Sequence, residues 1–381
     1  MNVDILCEYG SLNGGENSML ALLPLLKEHG VTFRVVCPPT GPLAETLNRF
    51  DIETVPFELR TGTSLEERRH RLGKLLWNLR SRLVHANSLA MGRVAGVILA
   101  DMCTPSIVHL RDIIRLNRSA VADLNRFRRI LVVSEATRRF HVDQGLHATS
   151  CHVMYNGVDL EQFRPTPPNG YLHRELGLPP EAKLLAVIGQ IGLRKGQDML
   201  LDVLSPIFSR RTDVHLLLVG QRWSSKPESL RFEQEIQARI KQEPFRKWHD
   251  ERVHVLGVRD DVPRLLNELT LLVHPARQEP LGRVLLEAAA CGIPVVATDV
   301  GGTREIFPDS DFPRQKDAAS ARIVPVNSPE VFYQAVETLL DDLPLRHQLG
   351  VAARHRAETA FAREIAAENL YRHYEAVLGG D

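Results

Sequence analysis

LLVHPARQEPLGRVLLEAAACGIPVVATDVGGTREI, residues Leu271–Ile306, is the stretch on which the reading of this chain turns. An aliphatic run ends at His274, a loop carries Glu279, and a helical pattern opens around Gly282. It closes at Gly292 with Pro294 just beyond, the usual punctuation of a helix end. Pro294–Thr298 then reads as another strand. Strand, loop, helix and strand in that order form the repeating unit of a parallel α/β sheet. The first amides of the helix, on Gly282, Arg283 and Val284, have no carbonyl one turn back to bond. They suit an anion, helped by the helix dipole. Glu287 is the only charged position of this helix after Arg283. A carboxylate on so apolar a helix needs something on its oxygens, and a nucleotide's ribose diol would serve.

The same alternation extends in both directions. Upstream, strands are expected at Val3–Cys7, Thr32–Cys37, Glu53–Phe57, Leu83–Ala86, Ile107–Leu110 and Ile130–Ser134, with helices such as Glu16–His29 and Leu65–Arg80 between them. RPTPPNG, Arg164–Gly170, carries three prolines and reads as a linker. Beyond it come strands Leu184–Ile188, Val214–Val219, Val253–Leu256, Leu271–His274, Pro294–Thr298 and Arg322–Val324. Helices are expected at Gln197–Phe208, Pro329–Leu340 and Ala362–Leu378. The fold class is therefore α/β: two Rossmann-like doubly wound domains, residues 1–165 and 166–360, facing each other across a cleft. Ligands of such sheets bind at the carboxyl ends of the strands.

Composition narrows the function. The chain has 381 residues, 44% hydrophobic and 25% charged, which excludes disordered, collagen-like and coiled-coil classes. No apolar run is long enough for a membrane span, and MNVDILCEYG lacks the basic and apolar regions of a signal peptide. The five scattered cysteines suggest reduced thiols in a cytoplasmic protein. Lys plus Arg (47) equals Asp plus Glu (47), so no global field points to nucleic acid. Between Arg60 and Arg139, however, 16 basic residues stand against six acidic ones. Within this region, RRHRLGKLLWNLRSR (Arg68–Arg82) has the pattern of a basic amphipathic helix. Such a helix either lies on an anionic membrane or turns its leucines into the core.

E-x7-E from Glu279 to Glu287, with P-L-G-R-V between and C-G-I-P-V-V-A-T-D-V-G-G-x-x-E-I after, resembles the retaining glycosyltransferases of family 4. Four further stretches are similar to that family in the same order: GSLNGGENSML (Gly10–Leu20), VMYNGVDLEQF (Val153–Phe163), VIGQIGLRKGQDMLL (Val187–Leu201) and VLGVRDDVPRLL (Val255–Leu266). The resemblance implies the GT-B fold and transfer of a sugar from a nucleotide sugar, with retention, to a glycan or lipid-linked acceptor in cell-surface polysaccharide or glycolipid assembly. It places the donor in residues 166–360 and the acceptor in 1–165, with 361–381 forming a helix that packs back on the first domain.

By the same resemblance, Lys195 and Arg194 sit at the donor diphosphate. Gln190 stands where the family often carries arginine, so Arg194 or Arg283 would replace that charge. Glu287 takes the ribose; Glu279 lies by the donor sugar; Leu281, Gly282, Arg283 and Val284 touch sugar and phosphates. Gly257 and Val258 offer backbone to the base. Gly14 and Gly15 allow close approach of the donor. His109 is placed near the reacting centre, making His109, Glu279 and Lys195 the catalytic candidates, with Arg111 and Asp112 on the acceptor side. Asn156 reads as a turn residue.

No cofactor or metal is expected. The D-x-D of PDSDF (Pro308–Phe312) has turn composition. The expected partners are the nucleotide sugar, the acceptor and, through the 60–139 basic region, the inner face of a membrane, but no nucleic acid. Two other functions fit the same residues: a retaining GT-B glycoside phosphorylase, or a non-catalytic sugar-nucleotide-binding subunit.

Overall fold

The computed structural model describes residues 1–59, 62–242, 245, 252–308 and 319–379. The D-x-D at Asp309 and Asp311 lies outside them. The chain divides into two compact units, Met1–Gly157 with Phe361–Asp381, and Val158–Ala360. The division precedes the proline-rich segment. Residues ahead of those prolines already belong to the second unit, because Arg354 and Asn267 donate to the carbonyls of Phe163 and Arg164.

Unit 1 holds strands β1 (Asn2–Leu6), β2 (Thr32–Cys37), β3 (Glu53–Pro56), β4 (Val84–Ala86), β5 (Ser106–Leu110), β6 (Arg129–Val132) and β7 (Cys151–Val153). They form one sheet in the order β3-β2-β1-β4-β5-β6-β7, and every pair is parallel. Unit 2 holds β8 (Lys183–Ile188), β9 (Val214–Val219), β10 (Val253–Gly257), β11 (Leu271–His274), β12 (Val295–Thr298) and β13 (Arg322–Val324). Their order is β10-β9-β8-β11-β12-β13, again all parallel. Strands β1, β4, β5, β8, β9, β11 and β12 are nearly continuous in buried residues, because helices cover both faces of such a sheet. Each sheet reverses its order once, at β1/β4 and at β8/β11, and these switch points open a crevice at the carboxyl ends.

The single helix expected at Glu16–His29 is two, Gly14–Leu20 and Leu23–Glu28. The break puts Pro24 in the first turn of the second helix, where its missing N–H costs nothing. In Arg68–Arg82, the helix Leu65–Leu79 turns Leu72 and Leu76 fully into the core. Arg69 pairs with Asp123 at 2.6 Å and Arg71 lies over the Phe57 ring. Trp77, at 71% exposure, is its outward apolar residue.

The last helix, Arg363–Gly379, packs against Leu23–Glu28 in unit 1. Ala366, Ala367, Leu370, Tyr374 and Val377 enter the same core cluster as β1 and β2 residues. Burying side chains the size of Leu370 and Val377 stabilises by roughly 1.5–3 kcal/mol each, so this helix is an integral part of unit 1. Gly157 must be glycine here, since a Cβ would stand 2.5 Å from Arg363 Cα.

Candidate functional site

In unit 2, the loops that follow β8 and β11 meet at the switch point. The β8 loop turns through Gly196 (φ +67°), where a Cβ would lie 1.9 Å from the Pro275 carbonyl oxygen. Arg277 and Gln278 amides donate to the Arg194 carbonyl at 2.8 and 3.2 Å. The Arg277 guanidinium closes on Asp198 at 2.7 and 2.6 Å and also bonds the Leu193 carbonyl. Gln197 donates to the Gln190 carbonyl and accepts from Gly192. Two loops distant in sequence are thus fastened together, and Lys195 is held between them.

The result is a buried ion pair: Lys195 Nζ donates to Glu279 Oε2. His274 Nε2 lies 2.9 Å from the same oxygen, and so carries its proton there. Glu279 is 5% exposed. Burial alone would raise its pKa, but the Lys195 charge and the His274 hydrogen bond outweigh that and hold it well below the usual range. Burial and the Lys195 charge keep His274 uncharged, lowering its pKa. A carboxyl depressed by folding contributes stability that is present above its unfolded pKa, about 4.3, and is lost as pH falls. We therefore expect the melting temperature of Glu279→Gln to fall less than the wild type's between neutral pH and about pH 3. Equal slopes in thermal unfolding across that range would contradict this.

Helix Arg283–Ala290 starts directly beyond. Gly282, at φ +101°, leaves no room for a Cβ against Leu285 (2.8 Å). The first bonds of the ladder run from Leu285 and Leu286 to the Gly282 carbonyl, so the amides of 282–284 stand ahead of it. Arg283 Nη2 donates to Glu287 Oε1 at 3.0 Å, so an arginine holds this carboxylate. Leu281 and Val284 are buried. Arg194 is exposed, and Gln190 is half-buried. At the end of β10 the Gly257 carbonyl accepts from Gly220, and Val258 is exposed. A cation, amides ahead of the helix ladder and a carboxylate on one edge can together hold an anion linked to a polyol.

Unit 1 builds a second polar cluster at its own switch point. Arg111, past the end of β5, donates to Asn156 Oδ1 at 2.9 Å and Asn87 Oδ1 at 2.8 Å. Asn156, expected as a turn residue, thus holds a guanidinium. A Cβ on Gly15 would lie 3.1 Å from Arg111 Cδ, so this glycine makes room for the arginine. Gly14 opens the helix, its carbonyl accepting from Ser18 Oγ. Asp112 is exposed, its carbonyl accepting from His141 Nε2. His109 is 3% exposed, with its pKa lowered by burial and by Arg111. Among the described residues no three His, Cys, Asp or Glu side chains group as a metal would need, and no helix is long and apolar enough to cross a membrane.

The sequence reading passed over His274, Asn87 and Gln197. His274 and Asn87 were the more accessible, since each is a polar residue at the carboxyl end of an apolar strand.

Two Rossmann-like sheets, each with a polar crevice at its switch point, define a GT-B architecture. Comparison agrees: the profile "Glycosyl transferases group 1" matches residues 182–342 and "Glycosyltransferase Family 4" matches residues 12–162. The two matches fall almost wholly one in each unit, and together they support a glycosyltransferase of the family 4 type. It is 26% identical over 226 residues to the lipopolysaccharide core biosynthesis mannosyltransferase LpsB of Rhizobium meliloti, covering 59% of this chain and 61% of that one. It is 30% identical over 261 residues to the alpha-maltose-1-phosphate synthase of Mycobacterium tuberculosis, covering 65% and 63%. The chain spans about 60% of the length of the first curated relatives it matches. Anabaena Alr3699/HepE, solved in complex with UDP-glucose, superposes with a TM-score of 0.84 at 21% identity over 99% of this chain and 100% of that one.

Proposed function

We propose that this protein is a retaining glycosyltransferase that moves a sugar from a nucleotide sugar to a glycan or lipid-linked acceptor in cell-surface polysaccharide or glycolipid assembly. The observation that carries the reading is Lys195 seated on Glu279 at the β8/β11 switch point, beside the amides of residues 282–284, which stand ahead of the helix ladder. Lys195 and those amides take the diphosphate, Glu287 takes the ribose in exchange for Arg283, and Glu279 faces the donor sugar. Arg283, released, supplies the charge absent at Gln190. In unit 1, His109 supports the reacting centre from the end of β5, and Arg111 and Asp112 serve the acceptor.

Retention follows from front-face departure: the leaving phosphate oxygen accepts the acceptor's proton as the new bond forms on the same side. The protein's contribution is positive charge aimed at the departing diphosphate. Fixed cations and helix amides do this work, so the proposed reaction needs no metal. A lipid-linked acceptor would bring the protein to the cytoplasmic face of a membrane. Trp77, with exposed Lys74, Arg80 and Arg82, supports peripheral contact there.

Calorimetric titration with UDP, GDP, ADP and CMP tests the donor site. One nucleotide is expected to bind selectively, and Glu287→Ala to weaken it by about 10–100-fold, the worth of a charged hydrogen-bonding group. Binding of none of the four would sink the proposal.

A further inference from the structure

Three buried polar side chains from three separate elements meet inside unit 1: His85 of β4, His109 of β5 and Tyr374 of the last helix. They are 2%, 3% and 0% exposed. Tyr374 Oη lies 2.8 Å from His85 Nδ1. Among the described residues this hydroxyl has no second partner, so it spends its proton on His85; accepting instead would strand a buried O–H. His85 Nδ1 is then the acceptor, and its proton sits on Nε2. Burial, with help from Arg111, keeps His85 uncharged, its pKa pushed down to about 3.

His85 Nε2 is buried without a protein partner among the described residues, and so are both ring nitrogens of His109. The two rings lie 17° from parallel with centroids 5.8 Å apart. Both border a cavity of about 10 Å³, as do Tyr374, Asn87 and Arg111. That volume suits one water molecule, and two or more polar partners are what a buried water needs.

We infer that Tyr374 is a positioning residue for His109, acting through His85 and one water bound in this cavity. The water accepts from His85 Nε2 and donates to one nitrogen of His109. His109 must then carry its proton on the other nitrogen, so its ring is held in one tautomer. That this tautomer serves the reaction rests on the role proposed for His109 above.

Long-range proton–nitrogen NMR of protein with isotope-labelled histidine reads each tautomer directly, with rings assigned by single substitution. We expect His85 as the Nε2–H form and His109 in one neutral tautomer. Tyr374→Phe, which removes only the hydroxyl, should release both rings into mixed tautomers. It should also lower turnover about tenfold, the worth of one ordered hydrogen bond, with KM for the nucleotide sugar unchanged. His85→Asn leaves the helix and Tyr374 in place and should free His109 in the same way. His85 in the Nδ1–H form, or a His109 spectrum unmoved by both variants, overturns the inference. The spectra need no substrate: a chain without transferase activity would refute the proposed function, while the tautomers still decide the role of Tyr374.

Discussion

Lys195→Ala is expected to lower turnover by about two to three orders of magnitude, the usual cost of removing one group aimed at transition-state charge. The same change strands Glu279, which is 5% exposed and, among the described residues, retains only the His274 hydrogen bond. Breaking a buried ion pair from one side costs about 3–5 kcal/mol, so a fall in stability would accompany the fall in rate. Lys195→Ala combined with Glu279→Gln separates the two effects. Neutralising the stranded acid should restore much of the melting temperature, while turnover stays low because no cation has returned. Normal turnover in Lys195→Ala would remove Lys195 from the leaving-group site. Recovery of turnover in the double variant would reduce it to a counter-ion for Glu279.

Gly196→Ala should be the most damaging of the conservative changes. Its backbone is left-handed at φ +67°, and the added Cβ would stand 1.9 Å from the Pro275 carbonyl oxygen. Gly177 has the same φ of +67° with nothing within 4 Å of its Cβ direction. Gly177→Ala therefore carries the backbone penalty alone, about 1–2 kcal/mol. Gly196→Ala carries that penalty and also forces apart the loops that hold Lys195 on Glu279. We expect it to lose at least ~3 kcal/mol and most of the activity. Thermal unfolding of the two variants side by side is the measurement. Equal, mild losses would show that the two loops do not approach as closely as described.

Much of this fold was legible because its strands are short, β-branched and separated by glycine or proline. Thr32–Cys37, Val214–Val219 and Leu271–His274 occur at the bounds their residues suggest. Cys151–Val153 was not foreseen, since three residues carry no periodicity. The two helices at Gly14–Leu20 and Leu23–Glu28 read as one because an apolar stripe hides a break that Pro24 alone signals.

The site divides along a similar line. Glu279, Gly282 and Glu287 are close in sequence, and helix punctuation exposes them. Lys195 is 84 residues from its carboxylate, and only the reversal of strand order at β8/β11 brings the two together. Tyr374 is 289 residues from His85. Nothing in its neighbourhood, YRHYEAV, distinguishes it from an ordinary core tyrosine.

The discontinuous make-up of unit 1 has a consequence for synthesis. Its sheet is complete in sequence by Val153, yet Leu370, Tyr374 and Val377 belong to its core. During translation, the part of this core that the last helix supplies emerges only after all of unit 2 has been made. Until then the growing chain carries a gap in that core, with apolar residues such as Leu23 and Leu26 left partly uncovered. Val158–Ala360, by contrast, is one continuous segment and can fold on the ribosome as it appears. The unit made first is therefore the last to mature.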